Sequence, residues 1–237
     1  MNMVRLGIYV NFYLSIGGLI ISRCNLVRVY FIHLTTIIMN ISAAELVKRS
    51  TSQLLYKEIK RIEWQATPRQ HRGNNYADEI VAKEKASSEK RGVVKLKDDN
   101  LLFFCIDLVK DNKYVEIKMV ENMNDYPDWY FHSSIMQATF YASLIEKTKS
   151  LDTPKFRRKE GYKQEVINIH PNPEFELWFG EDKYKVYPNA NVYNHYIKKA
   201  NVFLKSIDEV DFDKCRSFDS NFKHKEFNLF RPKYIKL

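Results

Sequence analysis

Between Ile106 and Val120 the chain reads IDLVKDNKYVEIKMV, two β-type runs on either side of the turn-like pair Asp111-Asn112. Strand side chains alternate between faces, so Val115, Ile117 and Met119 share one face and Tyr114, Glu116, Lys118 and Val120 the other. A two-residue hairpin tip pairs Lys110 with Lys113. Val109 then faces Tyr114, Leu108 faces Val115 and Asp107 faces Glu116, and a four-residue loop keeps the same register. Like charges directly opposed across a strand pair are destabilising, so a fold that keeps this hairpin must offset the repulsion. A divalent cation does so, because Mg²⁺ takes one or two carboxylates and fills its shell with water or substrate phosphate. Lys118, on the face of Glu116, would hold a water near a phosphate or stabilise developing negative charge. The alternative is a solvated edge hairpin whose acids pair with Lys118 and Lys110.

The chain around the hairpin has 237 residues, 45% of them apolar and 14% aromatic, enough for one large domain with a real core. Leu46, Val47, Leu54, Leu55, Ile59 and Ile62 give helical spacing from Ser42 to about Trp64, ended by Thr67-Pro68. A second helical stretch runs from about Tyr76 to Lys90. Short β segments follow at Val93 to Lys97, Leu101 to Val109 and Lys113 to Val120. Trp129 to Thr148 reads as a helix. Gln164 to His170, Glu174 to Phe179 and Tyr184 to Tyr187 read as strands, and 190 to 206 as a helix. The order helix, three-stranded meander, helix, strand implies a mixed α/β domain.

On the helix after the hairpin, Gln137-Ala-Thr-Phe-Tyr141 puts Gln137 and Tyr141 one turn apart on one face. With Asp107 and Glu116-Ile117-Lys118, the chain here resembles the PD-(D/E)XK nuclease superfamily, in its RecB-like exonuclease branch. The resemblance covers roughly residues 73 to 170. It implies a restriction-endonuclease-like α/β core, a mixed three- to four-stranded sheet flanked by helices, in a single nuclease domain over 39–237 with a C-terminal extension over 171–237. It implies a metal-dependent deoxyribonuclease, an exonuclease of recombination, repair or phage DNA processing. Asp107 and Glu116 would bind Mg²⁺ or Mn²⁺ with the Ile117 carbonyl, Lys118 would assist the attacking water, and Gln137 and Tyr141 would support the site or contact DNA. Glu79, on the preceding helix, is the candidate for a further ligand, with Glu84 and His71 as alternatives. Two departures stand out: no Pro precedes Asp107, and the cluster cysteines of the CRISPR-associated relatives are absent. A non-catalytic nucleic-acid-binding or assembly protein that keeps the fold is the rival reading.

A net charge of +9 suits a polyanionic partner. The basic run Lys155-Phe-Arg-Arg-Lys159 offers Lys155, Arg157 and Arg158 as phosphate contacts, and the basic, aromatic tail from Lys223 to Tyr234 is a second DNA guide. Three cysteines, Cys24, Cys105 and Cys215, form no CxxC pair, which leaves free thiols in a reducing, cytoplasmic setting. No Gly-rich phosphate loop or nucleophile elbow is present, so no nucleotide cofactor is expected. Residues 1–38 differ: they hold Arg5, Arg23 and Arg28 but no acid, and two apolar runs. The reading adopted is translation from Met39, where Ser42-Ala-Ala-Glu45 offers a capping box; a membrane anchor is the alternative.

Overall fold

A computed structural model describes residues 40–60, 67–121, 126–161, 163–208 and 222–237. The apolar extension over 1–38 lies outside the described residues. In chain order the elements are β1 (Asn40–Ser42), α1 (Ala43–Lys48), α2 (Thr51–Lys60), α3 (Pro68–Glu84), β2 (Lys90–Lys95), β3 (Leu101–Ile106), β4 (Leu108–Lys110) and β5 (Lys113–Lys118). After these come α4 (Asp128–Ile145), β6 (Ser150–Asp152), α5 (Lys155–Lys159), β7 (Val166–Asn168), β8 (Glu174–Phe179), β9 (Asp182–Val186), α6 (Ala190–Asp208), α7 (Phe222–Phe230) and β10 (Tyr234–Lys236).

These strands form two five-stranded mixed sheets, ordered β1-β3-β2-β6-β7 and β10-β9-β8-β5-β4. The expected single sheet of three or four strands is therefore corrected. The expected strand Leu101 to Val109 breaks at Asp107, which sits in a bend between β3 and β4. The chain leaves one sheet for the other at that residue. β1, β6, β7 and β10 are only three residues long, too short to show a period-2 pattern. β8 pairs parallel with β5, Glu116 abreast of Leu177 and Lys118 abreast of Phe179. The segment expected to be an extension past residue 170 thus belongs to the second sheet.

The first helical stretch divides in two, and local capping explains it. The Gln53 backbone N–H donates to Ser50 Oγ at 3.3 Å, and the Ser50 N–H donates to Gln53 Oε1 at 3.0 Å. This reciprocal box starts α2 afresh. Ser42 caps nothing with its side chain; Glu45 bonds Arg49 and Lys57 instead. Thr67, expected to end a helix, begins one. It forms a capping box with Gln70, and Pro68 occupies the first turn. Gly73 therefore lies inside α3.

α4 is buried from Ser134 to Ile145. A helix buried all round carries little amphipathic signal, and α4 instead has aromatic neighbours on two sides. Tyr141 packs on Phe104 of β3 at 5.6 Å and on Phe175 of β8 at 6.5 Å between ring centroids. Gly92 of β2 makes room for this cluster. A Cβ there would run into the Phe104 ring and lie 2.9 Å from Leu151 Cδ2. Gly92→Ala is expected to lower stability by about 1–3 kcal/mol through overpacking, read as a lower urea midpoint with an unchanged slope.

Candidate functional site

The hairpin register is the one the sequence implies: Lys110 opposes Lys113, Val109 opposes Tyr114, and Leu108 opposes Val115. Asp107, one residue further, has left the ladder. Its carboxylate Oδ2 accepts from the Ile117 backbone N–H at 2.7 Å, which ties the bend to β5 beside Glu116. Glu116 is 3% exposed. Its Oε1 accepts from Gln137 Nε2 at 2.7 Å and from the Lys118 ammonium. Tyr141, one turn on from Gln137 along α4, packs between Phe104 of β3 and Phe175 of β8. The bend between the sheets, strand β5 and helix α4 therefore meet at one buried point.

Burial, with Glu116 close by, pushes the Asp107 carboxyl well above the usual carboxylate range despite Lys118 and the Ile117 N–H. Burial works against the Lys118 ammonium, but Glu116 and Asp107 outweigh it and raise its pKa. Lys118 thus keeps its proton and acts as a cation rather than as a base. Tyr141 is pushed well up, first by burial and then by the Glu116 charge, so it remains a neutral phenol. Gln137 and Tyr141 are each 3% exposed. Of the two expected roles, support of the site is the one their burial favours.

Two residues at the site were not singled out from the sequence. The β2–β3 register places Lys90 abreast of Ile106, so Glu89 falls beside Asp107, whose carboxyl it helps raise. Glu89 also accepts from Arg157 Nε at 3.1 Å; burial raises its own pKa even so. Pattern reading had run a helix through to Lys90, which hid this position. Lys48, in the last turn of α1, is the second. Lys48 is exposed; the Lys118 charge lowers its pKa while Glu116 and Asp107 raise it, which puts it within electrostatic reach of the group. No local signal marks Lys48, because tertiary packing of α1 on α4 and β3 brings it there.

Other expected site residues lie elsewhere. Glu79 is exposed on α3, whose apolar residues Tyr76, Ala77, Ile80 and Val81 pack on Leu108, Val115, Ile117 and Trp178. These belong to the face of the hairpin opposite Glu116, so Glu89 replaces Glu79 as the third acid near the pair. Glu84 bonds Lys110 at 3.2 Å, and His71 is exposed. Arg157 is not an open phosphate contact. It bonds Asp78 at 2.8 Å, Glu89 at 3.1 Å and Glu160 at 3.1 Å, bracing α3 and α5 around β2. Lys155 is exposed and Arg158 half-buried, both on α5. Part of the tail packs inward too: Tyr234 meets Phe131 at 5.7 Å and Tyr184 at 6.0 Å, while the side chains of 223–225 lie outside the described ones. Arg157→Ala is expected to cost about 2 kcal/mol, since it strands half-buried acids. If the chain binds DNA, the salt dependence of that affinity is expected to stay unchanged, because Arg157 is already engaged by three acids.

Among the described residues no group of three or more His, Cys, Asp or Glu converges as a ready metal cage, and no helix is long and apolar enough to cross a membrane. No protein-family model and no curated protein matches the chain. A solved structure, that of SSO0001, is similar with a TM-score of 0.46 at 12% identity, over 80% of this chain and 84% of its own.

Proposed function

We propose that the chain is a metal-dependent deoxyribonuclease with a restriction-endonuclease-like core. The observation that carries this reading is the convergence of Asp107, Glu116, Lys118 and Gln137 from separate elements on one buried point. An acid pair pressed together in a low-dielectric site is costly unless a cation completes it. With no metal in place, the Lys118 ammonium serves as that counter-charge. The donor types fit Mg²⁺ or Mn²⁺: two carboxylates and a main-chain carbonyl at Ile117, with water and substrate phosphate the usual remaining ligands of such an ion. When bound, such an ion lowers the pKa of water and neutralises charge on a phosphoryl oxygen.

The protein's own groups do the rest. Gln137 fixes the Glu116 rotamer, and Tyr141 packs the helix face beside it against both sheets. The Ile117 N–H turns Asp107 toward the same point. Lys118, protonated, orients a water or meets the charge that builds on the phosphate during attack. Lys48 adds positive potential for a polyanion. DNA as the substrate, end-directed cleavage and a cytoplasmic setting in recombination, repair or phage DNA processing follow from the family resemblance. A buried carboxylate pair beside two lysines supports phosphodiester chemistry in particular.

The test incubates the full chain with end-labelled linear DNA and with closed circular DNA, in Mg²⁺, Mn²⁺ or EDTA. Metal-dependent loss of the linear DNA with the circle spared is the expected result. DNA binding without cleavage in either metal would favour the rival, a binding protein that keeps the fold.

A further inference from the structure

The first turn of α4 carries Trp129 and Tyr130, with Tyr126 just ahead of the helix, and strand register sets these rings beside the candidate site. Lys118 of β5 lies abreast of Phe179 of β8. The Tyr130 ring packs on Phe179 with centroids 5.5 Å apart. Tyr126 lies over Tyr130 at 5.2 Å, tilted by 30°, and Trp129 meets it edge-on at 6.1 Å. Phe179 is 1% exposed, but Tyr126, Trp129 and Tyr130 are all half-buried. The cluster runs from the core out to solvent at the point where Lys118 ends its strand.

Core packing accounts for Phe179 and for Phe131, which touches Phe179, Tyr184 and Tyr234. Tyr126 and Trp129 stand on the solvent side of that packing, against Tyr130. From Ser134 onward α4 is buried, yet its start leaves large rings partly wet beside a lysine ammonium. Aromatic rings next to cations are what proteins use to hold single-stranded nucleic acid, the rings stacking on bases and the cations meeting the backbone.

We infer that Tyr126, Trp129 and Tyr130 form a stacking ledge for an unpaired base of the DNA strand whose phosphate lies at Lys118. The preferred substrate is then a single strand or a frayed or overhanging end, because a base inside a duplex is covered on both faces by its neighbours. The identity of the phosphate rests on the nuclease reading; the stacking itself does not.

Fluorescence anisotropy in EDTA reads the ledge without turnover. The full chain is titrated into a labelled single-stranded oligonucleotide, and into the same strand with abasic residues. The wild type should bind the base-bearing strand about tenfold more tightly, the scale of one stacked base. Trp129→Ala should bring that ratio close to one, and Trp129→Phe should keep most of it. Lys118→Ala should weaken both strands alike and leave the ratio in place. Melting curves establish that each variant is folded. Equal affinity of the wild type for the two strands, or an unchanged ratio in folded Trp129→Ala, would overturn the inference. Should the wild type cleave no DNA yet keep a Trp129-dependent ratio, the nuclease reading fails and the ledge stands.

Discussion

Lys118→Ala is expected to cripple the proposed cleavage and to destabilise the protein at the same time. Its ammonium is the cation that contacts Glu116, whose other side-chain partner at that oxygen is the neutral amide of Gln137. Removing one member of a buried pair leaves the other uncompensated, at a cost of about 3 kcal/mol. The rate should fall at least about a hundredfold, the usual consequence of losing one electrostatic stabiliser of a developing oxyanion. Divalent metal should recover part of the lost stability, because it supplies positive charge to the same carboxylates, but not the rate. Lys118→Arg separates the two effects: it keeps the charge and much of the stability, while its planar fork fails to reproduce the ammonium position. Melting temperature and single-turnover rate, measured on the same preparations, check this.

Asp107→Asn is expected to have the opposite signature, a more stable protein without the proposed cleavage. The Asn carbonyl still accepts from the Ile117 N–H, and the crowded negative charge is gone. Because burial and Glu116 raise the Asp107 pKa above 3.8, the folded state binds more protons than the unfolded chain as pH climbs past that value. Stability without metal therefore falls as pH rises through the window from 3.8 up to the raised folded pKa. The variant lacks that contribution, and above the window it should be more stable than wild type by about 1 kcal/mol or more. Metal binding runs the other way in the wild type. It requires the carboxylate, so affinity and cleavage rise with pH over the same window. Thermal melts of both proteins in EDTA across a pH series, with Mn²⁺ added in a parallel series, check both signs. Stability gained by removing an acid the site needs would mark strain kept for function.

Much of this site was legible in the sequence. The period of two and the Asp111-Asn112 tip set the hairpin register, and the observed pairs of Lys110, Val109 and Leu108 follow it. The i, i+4 spacing of Gln137 and Tyr141 put both on one face of α4, and Glu174–Phe179 has the expected bounds. The break at Asp107 was hidden, because Leu101 to Val109 is continuously β-like and only the tether to Ile117 shows why it bends. Glu89 was hidden by a helix stop without a sequence signature. Lys85 closes α3 in the left-handed region at φ 51°, a position where glycine is the usual marker. Arg157 looked like a phosphate ligand because two of the acids that claim it, Asp78 and Glu89, are distant in sequence and reach it only in the fold. Lys48 and β1 owe their places to pairing with β3 and packing on α4, contacts that no local pattern encodes.

The central claim is that Asp107 and Glu116 together hold a divalent cation. Calorimetric titration of Mn²⁺ into the wild type and into Glu116→Gln, near neutral pH with a short DNA strand present, measures it most directly. The account predicts saturable binding to the wild type, with protons released, and its loss in the variant, whose glutamine still accepts from Gln137 but brings no charge. Binding of equal strength in both proteins, or no binding in either, would contradict it.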